Sequence, residues 1–192
     1  CYCDIFRMNR PKPPGALEAA ASLGKGLDKL IIFNSLSKRS NASGMRAGFI
    51  AGDKNVIESY KLLVSNGASP VPIPIQKVAA SLYADEEHHT KACIHYDKNF
   101  SIVEKYLKPF YKDFKLPDAG FFLWLKVRDD QQAAKILWNK FSLRVMPGSF
   151  MGIDVQGFNP GKGFLRISLV DNKEVIEEAM KRIQLFLQSE IS

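Results

Sequence analysis

Apolar residues recur along this chain in two rhythms. Residues 30–34 (LIIFN) and 46–52 (RAGFIAG) are short apolar runs, so the stretch 33–49 (FNSLSKRSNASGMRAGF) reads as a loop joining two buried strands. From Asn55 the residues Val56, Ile57, Tyr60, Leu63 and Val64 return at helical spacing, and Asn66-Gly67 supplies a stop. SPVPIP at 69–74 breaks that pattern. A long helical segment follows, with Cys93, Tyr96, Phe100, Val103 and Leu107 at steps of three and four, ended by Pro109. Residues 121–127 (FFLWLKV) read as a strand, 130–141 as a helix and 163–169 (GFLRISL) as a strand. Asp171 and Glu174 have capping-box spacing before a strongly amphipathic final helix. The opening CYCDIF reads as a strand. The predicted class is mixed α/β, with a helix-rich bridge near residues 75–110.

Composition narrows the choice of function. The chain has 192 residues, 46% hydrophobic and 24% charged, enough to bury a real core. No window approaches eighteen uninterrupted apolar residues and the start does not read as a secretory signal, so the expectation is a cytoplasmic protein with no membrane partner. The net charge of +7 comes from lysines and arginines scattered among acids, with no nucleic-acid-binding motif beside them; no nucleic-acid partner is expected. Cys1 and Cys3 are too close in sequence to bridge easily and, by strand alternation, are expected to face away from Tyr2; reduced thiols are expected.

The chemistry centres on one lysine. A lysine amine attacks carbonyls only when its protonated form is disfavoured, and Lys38 sits where a strand is predicted to end, between small Ser35 and Ser37 and the loop that follows. For a ligand carrying phosphate, Ser35 offers a hydroxyl, Arg46 a charge-assisted pair, and Gly44 and Gly48 close backbone approach. The arrangement describes an aldehyde with a phosphate handle. Spacing alone leaves a solvated surface loop equally open.

The segment SLSKRSNASGMRAG resembles the lysine signature of class I/II aminotransferases, pyridoxal-phosphate enzymes of fold type I. Further stretches resemble that family in order: CYCDIF, YDKNF at 96–100, PDAGFFLWL, VMPGSFMG and GFLRISLV, with Ala119 standing where the family often has glycine. The resemblance implies that Lys38 binds pyridoxal 5'-phosphate covalently and moves a proton, that Ser35 and Arg46 hold the phosphate, that Ser37 assists, and that Tyr2 hydrogen-bonds the ring oxygen. It implies that Arg166 grips the substrate carboxylate, which suits a planar fork. Residues 1–80 would be the C-terminal part of the large cofactor-binding domain, and 81–192 the interdomain helix and the small C-terminal domain. The activity implied is amino-group transfer between an amino acid and a 2-oxo acid, in a homodimer, with wording nearest succinyldiaminopimelate or aspartate-type enzymes. A carbon–sulfur lyase of the same fold and a non-catalytic regulatory module are the alternatives.

The family's aspartate at the ring nitrogen lies three positions before its tyrosine, which here falls before residue 1; Asp4 is not promoted to that role. The glycine-rich phosphate turn and the ring-stacking aromatic of the family's N-terminal half also lack counterparts, so the expectation is a C-terminal half of a longer enzyme. Among other residues, His88, His89, Cys93 and His95 are expected to be structural or solvated rather than metal ligands, Trp124 and Trp138 to be core, and Arg39 and Arg144 to be solvated.

Overall fold

The computed structural model describes residues 1–2 and 4–191. Cys3, and with it the expected orientation of that thiol, lies outside the described residues. The fold is mixed α/β, in two compact units: one takes residues 1–94 and 118–120, the other residues 95–117 and those from 121 onward. No helix among the described residues is long and apolar enough to cross a membrane.

The first unit begins with α1 (Ala16–Ser22), which the apolar pattern did not predict. Strands β1 (Ile31–Ser35) and β2 (Gly48–Gly52) pair antiparallel, with Ile31 opposite Gly52 and Ser35 opposite Gly48. Between them lie the four-residue helical turn α2 (Leu36–Arg39) and a 3-10 turn, Ser43–Met45. Then come α3 (Lys54–Gly67), α4 (Ile73–Ala84) and α5 (Glu87–Leu107), the last crossing into the second unit. α4 starts inside the predicted break, because Pro72 and Pro74 fall at its cap and first turn, where a missing N–H costs nothing.

Two expectations fail here. The strands are not buried: Phe33 and Phe49 are both exposed, since β1 and β2 pair only with each other among the described residues. The described residues of CYCDIF form no strand either. Ile5 N–H turns back to the Tyr2 carbonyl, and only Phe6 forms a β-bridge, to Ala119; without a longer partner an extended segment has no ladder to hold it. Asp53 ties the strand ends to α3, its carboxylate accepting from the amides of Lys29, Asn55 and Val56. Those hydrogen bonds, the Lys29 one foremost, hold its carboxyl below the usual carboxylate value.

The second unit carries β3 (Phe122–Lys126), α6 (Asp130–Phe141), β4 (Met146–Pro147), β5 (Phe164–Ser168) and α7 (Lys173–Ile191). Its antiparallel sheet has the order β3-β5-β4. Side chains alternate as the pleat requires: Leu123 and Leu125 of β3 face the core opposite Ile167 and Leu165 of β5, whereas Trp124 and Arg166 share the other face. The core is completed by Phe100, Val103 and Leu107 of α5, Leu137 of α6, and Met180, Ile183 and Phe186 of α7.

The predicted helix over 130–141 and the strand within 121–127 lie where the periodicity puts them. The final cap is displaced by one residue: Asn172, not Asp171, precedes α7 and accepts from the Val175 amide. Trp124 and Trp138 are 46% and 60% exposed, against the expectation of core. Each sits at an outward position of an amphipathic element whose inner positions are filled by smaller aliphatic side chains.

Candidate functional site

The Lys38 turn is held at both ends by its own sequence. A four-residue helix is too short to be stable alone. Ser35, in extended conformation at its start, accepts the Ser37 amide on Oγ at 3.2 Å. The Leu36 amide donates to the Ala47 carbonyl and the Ala42 amide to the Leu36 carbonyl, closing the loop so that Ser35 and Arg46 flank one backbone contact. Ser35 lies opposite Gly48 in the ladder, where a Cβ on Gly48 would stand 2.3 Å from the Asn34 carbonyl oxygen. Only glycine permits that approach.

Lys38 is half-buried, and its Nζ lies 5.6 Å from the centroid of the Tyr2 ring. Next to Tyr2, the Cys1 backbone nitrogen donates to the Phe33 carbonyl at 3.2 Å. Arg46 adopts the left-handed conformation (φ 51°) and donates from Nη1 to the Ser43 carbonyl at 3.0 Å. One carbonyl uses one of the guanidinium's five N–H donors. The unit therefore brings together an amine, two serine hydroxyls, a phenol and a guanidinium. That donor set fits a phosphate-bearing aldehyde: N–H and O–H groups for the anion, and an amine for the carbonyl.

Arg166 belongs to the second unit, in the middle strand of its sheet. It is opposite Trp124 on one side and Met146 on the other, and its guanidinium carbon stands 4.5 Å from the Phe122 ring centroid. At that distance the cation lies against the ring face, and a guanidinium is a group that can meet a carboxylate with two parallel hydrogen bonds. The VMPGSF loop beside it is tightly seated, since a Cβ on Gly148 would lie 2.2 Å from the Gly161 carbonyl oxygen.

Arg39 was expected at the surface and is instead 5% exposed. Asp4 accompanies it: its Oδ2 is 3.7 Å from Arg39 Nε and accepts from Asn34 Nδ2 at 3.3 Å. Asp4 thus pairs with Arg39 and Asn34. His89 is buried and hydrogen-bonded to the Asp4 carbonyl, with Nδ1 3.3 Å from Glu86 Oε2. Cys93 Sγ lies 3.5 Å from His89 Nε2, and burial pushes its thiol pKa up. No cluster of three potential metal ligands exists among the described residues. His88 links Asp85 to the Ser40 hydroxyl, and His95 contacts the Val170 carbonyl.

Asn99, within the YDKNF stretch, was read only as part of a motif. It is 1% exposed, and its Nδ2 donates to the carbonyls of Leu169 and Asp171, both at 2.9 Å, fixing the chain just beyond β5. Asp130 was read only as the start of a helix. Its buried carboxylate receives the amides of Ser149 (2.8 Å) and Gly163 (3.1 Å), bracing the loop that precedes β5. Burial raises its pKa, but the hydrogen bonds from Ser149 and Gly163 outweigh burial and leave it below the usual value. A polar residue spaced within an apolar stripe was the available signal for Asn99.

A model of the family "Aminotransferase class I and II" matches residues 8–183. LL-diaminopimelate aminotransferase 2 of Nostoc sp. is 29% identical over 177 residues, covering 90% of this chain and 43% of the relative. A (5-formylfuran-3-yl)methyl phosphate transaminase of Methanocaldococcus jannaschii is 28% identical over 177 residues, covering 90% and 46%. Among solved structures, an aminotransferase of Neisseria meningitidis superposes with a TM-score of 0.91 at 39% identity, covering 97% of this chain and 48% of that one. The chain spans a little under half the length of these relatives.

Proposed function

The chain belongs to the class I and II aminotransferase family, and from that premise we propose that it serves the transfer of an amino group between an amino acid and a 2-oxo acid, with pyridoxal phosphate held at Lys38. The observation that carries this reading is the capped turn of the first unit, where Ser35, Ser37, Lys38 and Arg46 lie in one loop and Lys38 Nζ stands over the Tyr2 ring. When bound, pyridoxal phosphate supplies an aldehyde and a conjugated ring that accepts electron density from the substrate.

The chain's own residues divide the remaining work. Ser35 Oγ accepts the Ser37 amide and keeps its hydroxyl hydrogen to donate to phosphate, and Arg46 adds the charge that neutralises it. Tyr2 offers a phenol beside Lys38 for the ring oxygen. Lys38 would be the cofactor's attachment point, and its Nζ would be the base that takes the proton from the substrate's α-carbon and delivers it to the cofactor side. Arg166 binds the α-carboxylate through two parallel hydrogen bonds and so orients the amino acid. We further assign the first unit to the large cofactor-binding domain and the second to the small domain, in a homodimeric whole protein.

For substrate class we propose amino acids of the diaminopimelate and aspartate group, supported by the names of several relatives. Another relative at matching identity is named for a phosphate-bearing furan aldehyde, so the substrate is decided by assay. The test uses the native protein from its source, supplied with pyridoxal phosphate and a panel of amino acids. The expected result is amino-acid consumption that requires a 2-oxo acid acceptor. Pyruvate released from cystathionine without an acceptor would establish a lyase instead, and cofactor binding without turnover would establish a regulatory module. Activity towards aromatic amino acids alone would overturn the substrate class.

A further inference from the structure

Arg39 is the residue after Lys38, and its guanidinium is buried where every N–H must find an acceptor. The structure supplies acceptors on three sides. Nη1 donates to the Leu82 carbonyl at 2.9 Å and faces the Asp85 carbonyl at 3.5 Å; Nη2 donates to Glu86 Oε1 at 2.5 Å; Nε faces Asp4 Oδ2 at 3.7 Å. The Tyr83 ring covers the guanidinium, 5.7 Å from centroid to Cζ. One planar group thus ties the end of α2 to the close of α4, to the link between α4 and α5, and to the segment that carries Tyr2. His88 adds a second tie from the same link, meeting Ser40 Oγ at 2.9 Å and Asp85 Oδ2 at 2.8 Å.

A solvated arginine at this position would cost nothing to lose. A buried one costs desolvation, which only dense pairing repays. What the pairing yields is geometric: α2 is too short to hold its own direction, and Ser35 caps only its first turn, through the Ser37 amide.

We propose that Arg39 is a positioning residue for Lys38. Its fork locks the last residue of the helical turn against the α4–α5 link and so sets the direction in which Lys38 Nζ points. The proposal rests on the reading of Lys38 as the cofactor's attachment point. Lysine cannot replace arginine here, because a single ammonium cannot span the Leu82 carbonyl, Glu86 and Asp4 together.

The test mixes the native protein and its Arg39→Lys, Arg39→Gln and Glu86→Ala variants with limiting pyridoxal phosphate, reduces with borohydride, and counts pyridoxyl adducts at each lysine by peptide mass. Melting and circular dichroism are recorded on the same samples. Glu86 is an exposed side chain, so Glu86→Ala keeps the comparison available if the Arg39 variants do not fold. The expected result is a loss of about tenfold in the preference for Lys38 over other lysines in Arg39→Gln, the scale of one buried charge-assisted bond, and a smaller loss in Glu86→Ala. Arg39→Lys is expected to recover most of the melting temperature but little of the preference. Recovery of both together in Arg39→Lys would overturn the proposal, as would an unchanged preference in Arg39→Gln and Glu86→Ala. Absence of a Lys38 adduct in the unaltered native protein would overturn the cofactor reading, and the proposal with it.

Discussion

Single residues in this chain act through what they satisfy. Asn99 has no reacting partner, yet it sits 1% exposed on α5 and answers two backbone carbonyls after β5, the strand that carries Arg166. Removing the donor leaves the buried Leu169 carbonyl and the part-buried Asp171 carbonyl without these bonds. Asn99→Ala is therefore expected to lower the unfolding free energy by about 2–3 kcal/mol in urea titration. Asn99→Asp should cost more, since its carboxylate sets an acceptor against two acceptors. A change below about 0.5 kcal/mol in both variants would show that these bonds carry no net stability. Arg39 follows the same logic with a charge: its pairing, not its exposure, decides its role.

At the scale of elements, carboxylates organise the loops. Asp53 joins the end of the β1–β2 pair to the first turn of α3, and Asp130 joins the start of α6 to the loop before β5. Both are held below their ordinary value of 3.8 in the folded chain, so the unfolded chain binds protons more readily. Their stabilisation is complete above that pH and is lost as the pH falls below it. The expected outcome is a urea midpoint that drops on acidification below pH 3.8, with part of the drop missing in Asp53→Asn. An acid limb of identical steepness in the variant would refute the role given to Asp53. The elements themselves were largely legible: period 3.6 marks α3, α5, α6 and α7, and short apolar runs mark β3 and β5. The α1 helix was missed because its alanine-rich stretch has no apolar stripe and no buried residue. The α7 cap slipped by one because Asp171 and Asn172 both carry capping side chains, and only the backbone decides between them.

For the molecule as a whole, the sequence was most informative where chemistry demands residue types at fixed spacing, and least where burial depends on distant contacts. Ser35, Lys38 and Arg46 were nominated by spacing and resemblance, and the β1–α2–β2 loop gathers them in one unit. Arg39 and the two tryptophans were misjudged in opposite directions, because a charge looks solvated and an indole looks buried until their neighbours are known. Membership of the class I and II aminotransferase family supplies the frame, and the chain covers a little under half the length of its relatives. The central claim is the assignment of Lys38, and borohydride reduction of the native protein with pyridoxal phosphate, followed by peptide mapping, tests it most directly. The account predicts a dominant pyridoxyl adduct on Lys38. Adducts spread evenly over exposed lysines, with none enriched at Lys38, would contradict it.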